Sequence, residues 1–276
     1  MSSGQPHHPA SQSSCHRRTR ARTARPRRVG QPSLHQLALS DISDKGLSET
    51  KALCSAKGVT TQTHCLDVSD REAIYKHAKQ VAKEFEQINI IINNAGVNLS
   101  VKAQDTNIKD FEWLMDINFW GVVHGCQAFL PELIKSGDGH VVNISSMFGL
   151  ISVPKQAAYN AAKFAVRGYT EALRQELIID KQPVKVSCVH PGFIATNIAN
   201  STRHGKNEDA ESNISSFNKV ARTSPEKAAK VIVSGIQNNK ARILIGPDSY
   251  AADSLQRLFG AQYQKITQAL ARKFMY

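Results

Sequence analysis

The sequence predicts a doubly wound α/β domain built around a mostly parallel sheet. Short apolar segments alternate with helical segments from residue 36 to the C-terminus. Several of the apolar segments lack polar alternation, which indicates strands buried on both faces, as parallel strands are. No segment repeats, and 276 residues are enough for one large domain of this class.

The elements of the first half follow from short local patterns. "HQLALSD" predicts a strand that leaves the sheet at Asp41, and "LSETKALCSAKG" predicts a helix that ends at Gly58. "VTTQTHCLDVSD" predicts a β-branched strand ending near Asp67, after which Ser69 or Asp70 caps the helix "REAIYKHAKQVAKEF". "INIIINNAG" predicts an apolar strand followed by a turn.

The second half continues the alternation. A helical stretch is expected from about Asp110 to Lys135, interrupted by Pro131, and is followed by the strand "GHVVNISS". "KQAAYNAAKFAVRGYTEALRQELI" predicts an amphipathic helix and "VKVSCVHPG" a strand. The stretch 201–217 is polar, and "NSTRHGKNEDAESN" (200–213), after Thr196, is expected to be a mobile lid. "SPEKAAKVIVSGIQNN" predicts a helix with Pro225 at its start, before a last strand "ARILIG" and a tail helix.

The net charge of +12 is concentrated at one end of the chain. Residues 1–35 contain seven arginines and no lysine or acid, so they carry +7 and the remaining residues only +5. With almost nothing to bury, residues 1–35 are expected to be a disordered segment, and residues 36–276 form the domain. A charge run is usually solvated, so nucleic-acid binding through it is the weakest alternative.

The composition also indicates where the protein resides and whether it holds a metal. Hydrophobic residues make up 41% of the chain, with no apolar run of about 18, so no membrane span is expected. The five scattered cysteines form no C-x-x-C pair, which favours reduced thiols and a cytoplasmic protein. No metal site is expected, because His140 and His190 stand without a companion cluster of ligands.

The strongest chemical pattern is "AAYNAAKFAV", in which Tyr159 and Lys163 lie four residues apart on one helix face. Lowering a tyrosine pKa from about 10 to about 7.5 needs about 3 kcal/mol. A neighbouring ammonium in a partly desolvated cleft can supply that amount. Taken alone, this pair is more often a solvated helix face than a catalytic pair.

Further motifs appear in order on the predicted elements: "NNAG" at 93–96, Asn118 in "DINFWG", Ser146 in "ISS", "YNAAK" at 159–163 and "PGFIAT" at 191–196. Together they resemble the short-chain dehydrogenase/reductase family over about residues 36–276. The resemblance implies a Rossmann-like fold and hydride transfer between a nicotinamide cofactor and a small alcohol or carbonyl substrate.

The resemblance also implies roles for single residues. Tyr159 would be the general acid/base, and Lys163 would lower its pKa and bind the nicotinamide ribose. Ser146 would donate a hydrogen bond to the substrate oxygen, whereas its neighbour Ser145 would be structural. Asn118 would hold a water that links Lys163 to solvent.

The carboxyl ends of parallel strands are where such sheets bind ligands. There Asp41 would accept both adenosine ribose hydroxyls and repel a 2′-phosphate, which favours NAD over NADP; a plain strand end or helix cap stays open for this acid. The other cofactor contacts implied are Asp67 and Val68 at the adenine, Asn94, Ala95 and Gly96 at the adenosine ribose, Tyr159 and Lys163 beside the nicotinamide, and Pro191, Gly192 and Thr196 at the carboxamide.

The sequence departs from this family at its start. The phosphate-binding glycine loop is expected about 20 residues before the ribose-binding acid, which here falls in Arg18–Thr23. No glycine-rich fingerprint or apolar strand stands there. In the strand order 3-2-1-4-5-6 the first strand is central, so the segments at 36–66 would lack a partner across the gap. We hypothesise a reading-frame or gene-model error, which the coding DNA tests.

Two functions therefore remain from the sequence. The first is an NAD-dependent oxidoreductase, and the alternative is a non-catalytic remnant that acts as a binding or oligomerisation module. A homodimer or homotetramer packed through the helices at about 110–135 and 156–180 is expected by resemblance. Trp113, Phe119 and Trp120 are expected to serve the core or a subunit contact.

Overall fold

The computed structural model describes residues 36–206 and 208–274. The Arg-rich segment 1–35 and its expected disorder lie outside the described residues. The strands are β1 (Gln36–Asp41), β2 (Thr60–Cys65), β3 (Ile90–Asn93), β4 (Leu99–Ser100), β5 (Gly139–Ile144), β6 (Val184–Pro191), β7 (Arg203–His204) and β8 (Arg242–Ile245). The helices are α1 (Asp44–Ser55), α2 (Arg71–Glu84), α3 (Ile108–Met115), α4 (Gly121–Lys135), α5 (Ala157–Ile179), α6 (Ala210–Val220), α7 (Pro225–Gln237), α8 (Pro247–Phe259) and α9 (Tyr263–Phe274).

The main sheet has the strand order β3-β5-β6-β8, and every pair in it is parallel. Val141 of β5 lies between Ile91 of β3 and Val186 of β6 in register. The carboxyl ends of these strands therefore meet at one edge, and the prediction of a mostly parallel α/β fold is confirmed.

Within the described residues, β1 and β2 form a separate parallel sheet. β1 pairs with β2 on one side, and β3 pairs with β5 on one side, so these two strands each keep one edge without a described partner. The segment before β1, where the sequence predicts that a central first strand is missing, lies outside the described residues. The short strands β4 and β7 form a third parallel pair.

Helix α2 connects the small sheet to the rest of the molecule. The Ser40 hydroxyl of β1 hydrogen-bonds to His77 Nε2 at 2.8 Å, and the His77 ring packs edge-on against Phe129 of α4. Burial lowers the pKa of His77 to about 4, so the ring is neutral at physiological pH. Tyr75 donates to Gln127 at 3.0 Å, which adds a second link between α2 and α4.

Both faces of the main sheet are covered, as the unbroken apolar strands predict. Val141 faces a cluster with α4 and α5, and its neighbour Val142 faces a cluster with α7 and β8. A polar bridge crosses the first layer: Asn93 Nδ2 donates to Asn143 Oδ1 at 2.8 Å, and Asn143 Nδ2 donates to Thr170 at 2.9 Å. The completely buried Asn143 amide thus ties β3, β5 and α5 together.

The cap predicted for α2 is present, whereas the predicted break at Pro131 is not. Asp70 caps α2 by accepting from the backbone of Ala73 at 3.0 Å. Pro131, however, does not interrupt the long helical stretch, because it lies inside α4. The irregularity is instead a π-helical turn at Asp116–Trp120. The buried side chains Phe129 and Leu133 hold α4 against the core on either side of the proline, so packing offsets its missing hydrogen bond.

The segment 200–213, expected to be a mobile lid, contains β7 and the first turn of α6. Asp209 starts this helix by accepting from the backbone N–H of Ser212 at 3.0 Å. None of its side chains is fully buried. Among the described helices, none has the length and apolar character needed to cross a membrane.

Candidate active site

Tyr159 and Lys163 lie one turn apart on the first half of α5, over the end of β5. The Lys163 Nζ is 5.7 Å from the centroid of the Tyr159 ring, within the range of a cation–π contact. The same nitrogen donates to the main-chain oxygen of Ile144, the last residue of β5, at 3.0 Å. The lysine is only 3% exposed, so its charge is held in a fixed place beside the phenol.

Burial governs the protonation of this pair. It lowers the pKa of Lys163 to about 8, and the ammonium form still dominates at neutral pH. Burial raises the pKa of Tyr159 above its usual range, and hydrogen bonding with Ser146 partly offsets this. The phenol is therefore protonated in this arrangement and able to donate a proton. The expected lowering of its pKa by Lys163 stays a prediction.

The two serines after β5 have different surroundings. The Ser145 hydroxyl donates to the main-chain oxygen of Lys163 at 2.8 Å and fastens α5 to the strand end. The Ser146 hydroxyl accepts from the backbone N–H of Phe148 at 3.1 Å and lies beside the phenol. Its remaining hydrogen can point to a substrate oxygen. The main-chain oxygen of Ser146 is itself held by His190 Nδ1 at 2.8 Å.

Asn118 sits on the π-helical turn and is completely buried. Its Oδ1 accepts from the backbone N–H of Val97, and its Nδ2 donates to the Val97 oxygen, both at 2.8 Å. The asparagine thereby shapes the turn after β3. A Cβ added at Gly96 would lie 3.3 Å from Asn118 Oδ1 and 3.5 Å from Lys163 Nζ. Three motif residues that are far apart in the sequence thus adjoin one another.

The predicted adenine-side residues follow β1, β2 and β3. Asp41 is exposed, and its Oδ1 accepts from the backbone of Ser43 at 2.8 Å, whereas Ser43 itself caps α1. Asp67 Oδ1 accepts from the Ser69 backbone and hydroxyl at 2.9 and 2.7 Å. Val68 packs against Gly121 at the start of α4.

The residues predicted at the adenosine ribose follow β3, and those predicted at the carboxamide follow β6. Asn94, Ala95 and Gly96 are exposed in the turn after β3. Gly192 donates to the main-chain oxygen of Ile245 at 2.9 Å, and a Cβ on it would overlap the Asp248 carboxylate. That carboxylate also accepts from the backbone of Phe193. Pro191 is partly buried, and Thr196 is exposed beyond this turn.

These residues fit the nicotinamide end of a dinucleotide. Gly96 is exposed, and the Lys163 ammonium lies 3.5 Å from the position of a Cβ added there, so a hydrogen-bond donor suited to a ribose hydroxyl lies beside this turn. The segment expected to carry the pyrophosphate loop lies outside the described residues.

Sequence reasoning missed the aromatic side chains that border Tyr159. Phe148 follows Ser146 by two residues and Phe193 follows Gly192 by one, so their closeness to the motifs was the available signal. The Phe148 ring lies edge-on to Tyr159, with 6.3 Å between centroids.

The two histidines noted in the sequence make structural contacts. His140 Nε2 hydrogen-bonds to the Ser187 hydroxyl at 2.8 Å, as His190 does to a main-chain oxygen. Burial lowers the pKa of each to about 4, so both stay neutral. Of the two tryptophans, Trp113 makes a cation–π contact with Arg203, whose guanidinium carbon lies 3.5 Å from the centre of the ring. Trp120 is 45% exposed and stacks on His124.

Comparisons with known proteins agree with this geometry. The family model for short chain dehydrogenase matches residues 32–207. The chain is 47% identical over 240 residues to the "Putative oxidoreductase SadH" of Mycobacterium tuberculosis, which covers 87% of each chain. It is 39% identical over 166 residues to the human "Estradiol 17-beta-dehydrogenase 11", which covers 58% of this chain and 54% of that protein.

A solved structure supports the same assignment. The short-chain dehydrogenase/reductase of Burkholderia phymatum in complex with NAD superimposes with a TM-score of 0.75. The two are 26% identical, and the match covers 80% of this chain and 84% of that one. The chain belongs to the short-chain dehydrogenase/reductase family of oxidoreductases.

Proposed function

We propose that this chain is an NAD-dependent oxidoreductase that interconverts an alcohol and a ketone or aldehyde. The observation that carries the proposal is the grouping of Tyr159, Lys163 and Ser146 at the carboxyl end of β5. This grouping supports a site in which a proton donor, a buried cation and a hydroxyl act on one substrate oxygen.

In carbonyl reduction the protonated Tyr159 gives its proton to the substrate oxygen. Ser146 donates a hydrogen bond to the same oxygen as negative charge develops there. The Lys163 ammonium stabilises the phenolate left behind. Asn118, whose side-chain amide is bonded to the Val97 backbone, holds the turn beside Lys163 in place. A bound nicotinamide supplies or accepts the hydride. Alcohol oxidation reverses the same proton steps.

We infer NAD rather than NADP from Asp41. Its exposed carboxylate at the end of β1 is able to accept ribose hydroxyls, and it would repel a 2′-phosphate. Calorimetric titration of the full chain with NAD and NADP tests this choice. Tighter NADP binding would contradict it, and so would an Asp41→Ala variant that leaves the preference unchanged.

The activity itself is tested by following the absorbance of reduced nicotinamide with NAD and a panel of secondary alcohols. Tyr159→Phe is expected to lower kcat by at least about 100-fold, since the proton donor is lost. Tyr250→Phe is the matched control, because this tyrosine is 57% exposed on α8. Full activity in Tyr159→Phe would refute the proposed role.

The alternative function is a non-catalytic binding or oligomerisation module. It is favoured by the separation of the β1–β2 sheet from the main sheet within the described residues. It predicts a folded, multimeric chain that releases no heat on titration with NAD. For either function we propose a homodimer or homotetramer through the helices at about 110–135 and α5. Trp120, on the π-helical turn before α4, is 45% exposed, and Phe164 on α5 is 37% exposed. Light scattering after size-exclusion chromatography measures the assembly.

A further inference from the structure

Three phenylalanine rings continue outward from the Tyr159 ring. Phe148 lies edge-on to Tyr159, Phe193 lies edge-on to Phe148 at 6.0 Å, and Phe217 lies edge-on to Phe193 at 5.8 Å. We call Phe148, Phe193 and Phe217 the aromatic wall. The three come from the turn after β5, the loop after β6 and helix α6, so the fold alone brings them together.

The inner part of the aromatic wall has a firm backing. Phe148 and Phe193 pack against a buried cluster that includes Met147, Ile151 and Tyr263. The Tyr263 hydroxyl accepts from the backbone N–H of Ser152 at 2.9 Å, so helix α9 is fastened to the loop behind the rings. Phe148 and Phe193 are nevertheless partly exposed, which leaves ring surface for a ligand to cover.

Phe217, the outer ring, lies on helix α6, which is held mainly at its N-terminal end. Glu208, next to the Asp209 cap of α6, pairs with Lys155 at 2.8 Å, and the two side chains are only 7% and 12% exposed. Lys155 has a left-handed backbone with φ of 60°, and its oxygen accepts from the Val101 backbone at 2.9 Å. Beyond this anchor no residue of α6 is fully buried. Phe217 is thus a ring on an anchored but lightly packed helix.

We propose, resting on the proposed function, that the substrate is an alcohol or ketone carrying an apolar ring, and that Phe217 sets this preference. Aromatic side chains bind other rings through large apolar contact area and edge-to-face geometry. They offer no hydrogen bond to a carboxylate or a hydroxyl-rich chain. Such a ligand would lose its hydrogen bonds to water and gain none from the rings. A ring on the aromatic wall places its carbonyl or hydroxyl substituent at Ser146 and Tyr159, whereas a short aliphatic ketone cannot reach Phe217.

The test measures binding, so it does not depend on turnover. Saturation-transfer NMR compares 2-acetylnaphthalene with acetone, each with and without NAD, on the full chain. We expect the wild type to bind the naphthyl ketone at least about tenfold more tightly than acetone. Phe217→Ala is expected to weaken the naphthyl ketone about tenfold and to leave acetone unchanged. Phe259→Ala, which removes a ring that is 51% exposed on α8, is the matched control and is expected to match the wild type.

The outcomes separate the two proposals. Equal affinity of wild type and Phe217→Ala for the naphthyl ketone overturns the aromatic wall as a specificity element, and so does failure of the wild type to bind it. Ring-selective binding without any nicotinamide reduction would refute the enzymatic function but keep the aromatic wall. Nicotinamide reduction without a preference for ring-bearing substrates would support the enzymatic function and refute the aromatic wall. Circular dichroism confirms that the variant is folded, as expected for a partly exposed residue.

Discussion

The buried ammonium of Lys163 makes a quantitative prediction about stability and pH. Burial moves the pKa of this amine from 10.5 to about 8. At about 1.4 kcal/mol per pKa unit, holding the charged form in the folded protein costs about 3 kcal/mol. Below about pH 8 the amine is charged in both states, and the folded protein bears the whole cost. Between about 8 and 10.5 the folded protein releases the proton while the unfolded chain keeps it, so the free energy of unfolding rises with pH.

The variant Lys163→Met removes this titration and keeps a side chain of similar length. We expect the free energy of unfolding of the wild type, minus that of the variant, to rise by about 2.5 kcal/mol from pH 7 to pH 10. Urea denaturation followed by circular dichroism at several pH values measures the difference, in which all other titrating groups cancel. Parallel pH curves for the two proteins would refute the buried, charged lysine on which the proposed chemistry relies.

Three further predictions follow from close contacts. Asn143→Ala should lower the free energy of unfolding by about 3 kcal/mol, since two buried partners lose their hydrogen bonds; urea denaturation measures it, with Asn238→Ala as the exposed control. Gly149→Ala should reduce kcat at least about tenfold, because the new Cβ would lie 2.7 Å from a main-chain oxygen of α5. Gly168→Ala, with open space at its Cβ, should have wild-type turnover. Glu208→Gln should speed amide hydrogen exchange in α6, measured by mass spectrometry, and unchanged exchange would contradict the anchor.

The elements that the sequence predicted well carry local signals. Strands such as β5 and β6 are apolar throughout, and α2 and α7 start at Asp70 and Ser224, whose side chains cap the following turn. The π-helical turn at Asp116–Trp120 and the unbroken course of α4 through Pro131 have no such signal, because tertiary packing decides both. Helix α6 was missed since its sequence is polar and only one face touches the protein.

In the candidate site, too, local motifs reveal some residues and only the tertiary structure reveals others. Tyr159, Lys163 and Ser146 could be found from their motifs, and the structure brings them together at one strand end. Phe148 and Phe193 could have been singled out by their closeness to the motifs, but their contact with each other and with Phe217 depends on the tertiary structure, which no spacing describes. The contact between Gly96 and Asn118 likewise depends on a turn that no spacing rule describes.

Among the described residues, β1 and β3 each pair with another strand on one side only. Within residues 36–206 and 208–274, each edge presents a row of peptide N–H and C=O groups without a strand partner, and Ile92 on β3 is 49% exposed. Such edges accept any extended apolar segment, including one from another molecule. Where such an edge stays uncovered, it promotes strand exchange and aggregation in concentrated samples; the net charge of +12 counteracts this at low ionic strength, and added salt promotes it.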